Sequence, residues 1–87
     1  MNKNISVFDP QFDVVIRQNI RNRLVELRVE TGLTQSDVGK IVGKSKNAVA
    51  SWEQGLSLPD VQTLYRLSLY YRKTLEFMFG LEEGEKK

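Results

Sequence analysis

Projected at about 100° per residue, Lys46, Asn47, Ala50, Ser51 and Gln54 fall on one helical face, opposite Val49 and Trp52. That face offers an ammonium, amides, a hydroxyl and a methyl, and no acid. Asn47 carries the donor and acceptor pair that matches adenine N6 and N7, and Lys46 donates to guanine O6 and N7. Ala50 is small enough to admit a thymine methyl, while Ser51 and Gln54 suit a base edge or a phosphate. This is the chemistry of reading the edges of stacked bases. A merely solvated helix face is also polar, so the side chains alone leave both readings open.

The residues around this face say how it is held. Thr34 to Gly55 reads as two short helices joined by a glycine turn. Val38 and Val42 are four apart on the first helix, and Val49 and Trp52 are three apart on the second, so two apolar stripes face each other across the turn. Gly39, beside Val38, lets the second helix cross closely. Gly43 ends the first helix where a left-handed backbone is often needed, and Ser45 caps the second by accepting an N–H bond. A short helix presented across such a turn suits a DNA major groove.

The pattern Leu24, Leu27-Arg28, Gly32-Leu33-Thr34-Gln35, Val38-Gly39, Gly43, Ser45, Val49, Trp52-Glu53, Gly55, Pro59, Leu64, Leu67 resembles the Cro/repressor (XRE) family of helix-turn-helix proteins. The resemblance runs from about Ile20 to Leu81. It implies an all-α, compact five-helix lambda-repressor-like domain, usually bound to double-stranded DNA as a homodimer. It assigns Gln35 to a phosphate or base contact and Lys46, Asn47 and Ser51 to base edges. It also pairs Arg28 with Glu53 in a partly buried ion pair. Were they paired, the guanidinium would tie the first helix to the end of the recognition helix; two separately solvated charges are the alternative.

Two positions and one loop depart from that pattern. Glycine stands at position 39 where the family more often has alanine, at a helix-propensity cost of about 1 kcal/mol. Lys44 replaces an apolar residue after the turn glycine, its stem able to cover core while its ammonium reaches a phosphate. The loop Leu56-Ser57-Leu58-Pro59-Asp60 lacks the basic residues with which many relatives grip the DNA backbone.

At 87 residues, 40% hydrophobic and 28% charged, the chain can bury one modest core. Its net charge of +2 is a weak signal, but Lys40, Lys44 and Lys46 stand between Val38 and Trp52 with no acid among them. With Arg17, Arg21 and Arg23 they are expected to form a basic surface facing phosphates. Phosphate contacts are expected from Gln35, Lys40, Lys44, Ser45 and Gln54, and base contacts from Lys46, Asn47, Ala50 and Ser51. Neither cysteine nor histidine is present, which argues against thiolate chemistry, disulfides and the commonest metal ligand and general base. No cofactor, metal or catalytic residue is expected. The chain shows no apolar run near the roughly 20 residues of a membrane span and no signal pattern at its start. The expectation is a cytoplasmic, non-enzymatic protein, and the resemblance adds a bacterial, phage or mobile-element origin.

Residues 1–9 read as an N-terminal arm, 10–81 as the DNA-binding domain with the motif at 34–55 and the recognition helix at about 45–54, and 82–87 as a flexible charged tail. Asp9-Pro10 opens a long helix whose apolar face is Phe12, Ile16, Ile20, Leu24 and Leu27, running to Thr31-Gly32. Pro59-Asp60 opens another with Val61, Leu64, Leu67, Ser68 and Tyr71 inside, and Thr74 caps a last helix, Leu75 to Phe79, stopped by Gly80. Phe8, Phe12, Val14 and Val15 near one end, and Phe77, Met78, Phe79 and Leu81 near the other, exceed what so small a core requires. Some of them are expected to form a twofold dimer interface; the alternative is that they close the bottom of the core.

The function expected is sequence-specific duplex DNA binding by a dimeric transcriptional repressor on a palindromic operator. The alternative is a protein-interaction module or antitoxin of the same fold, whose main partner is a protein.

Overall fold

A computed structural model of the chain describes residues 8–81. Five helices follow one another: α1 (Pro10–Glu30), α2 (Gln35–Val42), α3 (Lys46–Gln54), α4 (Val61–Tyr71) and α5 (Leu75–Met78). Of the expected arm and tail, residues 1–7 and 82–87 lie outside the described residues.

Each helix starts on a side chain that accepts one of its orphan N–H groups. Asp9 accepts from Gln11 N, with Pro10 in the first turn. Thr34 and Asp37 exchange bonds in a capping box, Asp37 N donating to the Thr34 hydroxyl at 3.0 Å and Thr34 N to Asp37 Oδ2 at 2.9 Å. Ser45 accepts from Ala48 N, Asp60 from Thr63 N and Thr74 from Phe77 N. The starts are therefore written locally in the chain.

The core draws on every helix: Ile20, Leu24 and Leu27 from α1, Val38 and Val42 from α2, Val49 and Trp52 from α3, Leu64, Leu67 and Tyr71 from α4, and Phe77 and Met78 from α5. α2 packs against α3, α1 lies across both α3 and α5, and α4 rests on α2 and α5. α3 is thus clamped from two sides while its remaining face stays outside.

Two expectations fail on burial. Val61, expected inside, is 81% exposed. It is the first residue of α4, beyond the edge of the core, and the fully buried Thr63 begins the inner face instead. Phe77 and Met78, expected at a dimer surface, are core residues, and Met78 has no exposed surface at all. Phe79 is half-buried against the same cluster and Leu81 alone of that set is exposed. The four-residue α5 tucks under α1 and covers what the sequence left as surplus.

Candidate nucleic-acid interface

The turn that presents α3 is tight. Gly43 sits at φ +73°, a left-handed conformation that glycine adopts without steric cost. Lys44 N then reaches back to the Gly39 carbonyl at 2.8 Å, so the turn passes over Gly39. A Cβ on Gly39 would lie 2.5 Å from the Lys44 carbonyl oxygen, well inside van der Waals contact. Glycine at this position is therefore demanded by the turn, despite its cost to the helix.

Behind α3, Val49 and Trp52 anchor the inner face. Its outer face carries Lys46, Asn47 and Gln54 exposed, with Ala50 and Ser51 half-buried beside them. Lys46, Asn47 and Gln54 have no side-chain hydrogen bond or ion pair among the described residues. Their polar groups remain available to a ligand. Ser51 instead shares a 2.7 Å hydrogen bond with the Ser57 hydroxyl, which pins the following loop to the helix.

Gln35, the first residue of α2, is partly engaged. Its Nε2 donates to Glu53 Oε1 at 3.0 Å. Glu53 also takes Arg28 Nε at 2.7 Å and Arg28 Nη2 at 3.0 Å, and Arg28 Nη1 donates to the Leu33 carbonyl at 2.9 Å. The Arg28–Glu53 pair thereby joins α1, the loop before α2, α2 and α3. The bond to Glu53 holds the Arg28 pKa above its ordinary value, despite an opposing effect of burial. Burial, with a smaller push from the Glu53 charge, raises the Tyr71 hydroxyl to about 12. The pair expected between Arg28 and Glu53 is present and bidentate. Gln35 keeps one N–H and its carbonyl oxygen for any outside contact, which narrows its expected role.

The lysines differ in availability. Lys40 is exposed on α2 without an ion-pair partner among the described residues. Lys44, expected at a phosphate, lies 3.3 Å from Asp60 Oδ2 in a solvent-exposed ion pair. Such a pair contributes little and exchanges readily, so it leaves the ammonium available to a stronger anion. The Asp60 carboxyl is held down at about 2 by Thr63 first, whose N–H donates to Asp60 Oδ1 at 2.8 Å, with Lys44 adding less.

Arg23 does not join the basic surface. Its Nε donates to the Phe77 carbonyl at 3.0 Å, and its guanidinium lies 4.0 Å from the centre of the Phe77 ring. Arg21, two residues earlier and so about 200° around the helix, packs at Gly55 on the α3 side, with Arg17 nearby. The arginines of α1 thus divide between two faces.

A helix-turn-helix family model matches residues 24–78, more than half of the chain. The chain belongs to the XRE-type helix-turn-helix family. This helix-turn-helix protein is 29% identical over 69 residues to the HTH-type transcriptional regulator ImmR of Bacillus subtilis (strain 168), covering 79% of the chain and 54% of ImmR. It is 30% identical over 64 residues to the uncharacterized HTH-type transcriptional regulator YgzD of the same organism, covering 74% of the chain and 97% of YgzD. An uncharacterized HTH-type transcriptional regulator of Archaeoglobus fulgidus is 26% identical over 66 residues, covering 76% of the chain and 94% of that protein. The chain thus spans about half the length of ImmR. No solved structure matches it significantly. Among the described residues, no helix of this family member is long and apolar enough to cross a membrane.

Proposed function

We propose that this helix-turn-helix protein, a DNA-binding transcriptional regulator, recognises a specific duplex sequence as a homodimer and represses by occupying a palindromic operator in the cytoplasm. The observation that carries the reading is the outer face of α3. Lys46, Asn47 and Gln54 stand exposed and unengaged, without an acid among them, on a helix clamped by Val49 and Trp52. Lys46, Asn47, Ala50 and Ser51 select bases, while Gln35, Lys40, Lys44, Ser45 and Gln54 position the helix on phosphates. Arg28 and Glu53 fix the angle at which α3 is presented. The mechanism calls on no cofactor.

Selection of bound sequences from a random duplex pool, followed by salt titration on the winner, tests this. The expected winner is a palindrome with half-sites about 10 base pairs apart and a steep fall in affinity with salt. Recovery of no consensus overturns the reading in favour of a protein partner. The observation behind that second reading is the exposed apolar row Val61, Tyr65 and Leu69 on the outer side of α4.

A further inference from the structure

Arg21 stands two helical turns before Arg28, on the same face of α1. Arg28 meets Glu53 of α3, and the Arg21 stem runs over Gly55, where α3 ends. α1 therefore crosses the C-terminal end of α3. One turn earlier on that face, Arg17 and Gln18 share a shallow depression with Val14, Arg21 and Gly55. All three polar side chains are exposed. Neither arginine makes an ion pair among the described residues, and Arg21 Nη1 donates only to the adjacent Asn22 Oδ1 at 3.2 Å. Asp13 is the one acid between Pro10 and Arg21.

We propose that Arg17, Gln18 and Arg21 grip the phosphate backbone of the duplex at the C-terminal end of α3, on the strand opposite the one held by Lys44 at its start. The inference rests on the DNA-binding reading given above and adds a contact from outside the stretch matched by the family, which begins at residue 24. Gly55 follows Ser51 by one turn on the same side of α3, so the depression continues the edge assigned to bases. Nine residues of helix are about 13 Å long, close to the roughly 12 Å width of a major groove, so the two ends of α3 face the two strands. Lys44 and Lys46 serve the first end. The second end presents carbonyl groups and a partial negative charge, has no basic residue in its last turn, and gains none from Leu56 to Pro59. Alone it would repel a phosphate. Two guanidiniums from α1 reverse the sign there, each able to hold two phosphate oxygens, and the Gln18 amide adds a neutral donor. A second copy meeting this face about a twofold axis would crowd both pairs of arginines against only two carboxylates, which disfavours it.

The test is the affinity of the full chain for the selected duplex and for a random duplex across a salt series. The proteins are the wild type, R17Q/R21Q, R17K/R21K and, as a charge control, R66Q on the exposed side of α4. Far-UV circular dichroism and sedimentation equilibrium check the fold and mass of each. R17Q/R21Q is expected to weaken both duplexes about thirtyfold near about 0.15 M salt and to lower the salt slope by about 2, as the loss of two phosphate contacts requires. R17K/R21K keeps the charge and should keep the slope, and R66Q should follow the wild type. Ethylation interference locates the contact: phosphates flanking the C-terminal end of α3, whose ethylation hinders the wild type, should cease to matter to R17Q/R21Q. If R17Q/R21Q follows R66Q in affinity and slope, the proposal is overturned and DNA recognition stands. Loss of oligomer mass in R17Q/R21Q with an unchanged salt slope assigns the arginines to a protein contact and also overturns it. A wild type without salt-dependent binding to either duplex overturns the DNA-binding reading itself, and the proposal with it.

Discussion

The Arg28 guanidinium meets the Glu53 carboxylate edge to edge, Nε to Oε2 at 2.7 Å and Nη2 to Oε1 at 3.0 Å, and this one contact joins α1 to α3. The two ends are not equally dispensable. The Glu53 side chain is 8% exposed and the Arg28 side chain 19%. Arg28→Leu leaves a buried carboxylate with only Gln35 as partner, and a cost of about 2–4 kcal/mol is expected. Glu53→Leu leaves a guanidinium that still bonds the Leu33 carbonyl and reaches water, and should cost less. Urea denaturation of both variants measures the difference. Equal costs would show that solvent relaxes the carboxylate as easily as the guanidinium.

Gly39→Ala sets helix propensity against close contact. Alanine gains about 1 kcal/mol in a helix interior. Its Cβ, however, would press on the Lys44 carbonyl at 2.5 Å, a backbone atom that cannot swing aside. Net destabilisation of about 1–3 kcal/mol is expected, measured as a lowered urea midpoint. A variant as stable as the wild type would mean that the turn shifts without strain.

The parts of the fold legible in the sequence are those fixed within a few residues. Asp9, Ser45 and Thr74 cap the helices they precede, and the spacing of Ile20, Leu24 and Leu27 or of Leu64, Leu67 and Tyr71 marks the buried faces. Where a face stops depends on its neighbours, so Val61 continues the α4 pattern yet stands outside. The end of α4 lacked a signal because Arg72, not glycine, takes the left-handed position at φ +60°. Within the site, the outer face of α3 followed from periodicity. Partners far apart in sequence did not: Lys44 with Asp60, Gln35 with Glu53, and Arg23 with Phe77. Large apolar residues at a chain end read alike whether they cover a partner or their own core.

Asp60 makes stability depend on acid in a definite direction. Its carboxyl is held at about 2 in the fold against an ordinary 3.8, so the native state takes up this proton less readily than the unfolded chain. The contribution is complete above about pH 4 and is lost as pH falls toward about 2. Asp37, lowered by the Thr34 N–H and then its hydroxyl, acts in the same sense. Asp60→Asn keeps a capping side chain but not the titration, so its urea midpoint should fall less steeply over that range. An unchanged profile would assign the acid sensitivity to other carboxylates.

Met78 and Leu81 separate the core role of the C-terminal residues from an interface role. Met78→Ala empties a fully buried site and is expected to cost about 2–5 kcal/mol. Leu81→Ala alters an exposed side chain and should stay within about 0.5 kcal/mol. Thermal denaturation at two protein concentrations distinguishes the roles, since an interface residue also changes the concentration dependence of the midpoint. A concentration-dependent effect of Leu81→Ala would return the C-terminal end to the dimer surface.

Asn47 and Lys44 test the division between choosing a sequence and holding the backbone. Asn47 stands unengaged on the outer face of α3, so Asn47→Ala is expected to weaken the selected site by about 1–3 kcal/mol and relax discrimination at one base pair. Lys44 sits in the turn before α3 with its ammonium 3.3 Å from Asp60. To bind phosphate it must leave that carboxylate, and the screened pair opposes the move only weakly. Lys44→Ala should therefore weaken all duplexes alike and lower the salt slope by about 1. Asp60→Asn should do the reverse, strengthening binding to specific and random duplexes equally by freeing the ammonium. Affinities on the selected site, single-mismatch sites and random duplex across a salt series read all three effects. Identical behaviour of Asn47→Ala and Lys44→Ala would refute the division of roles.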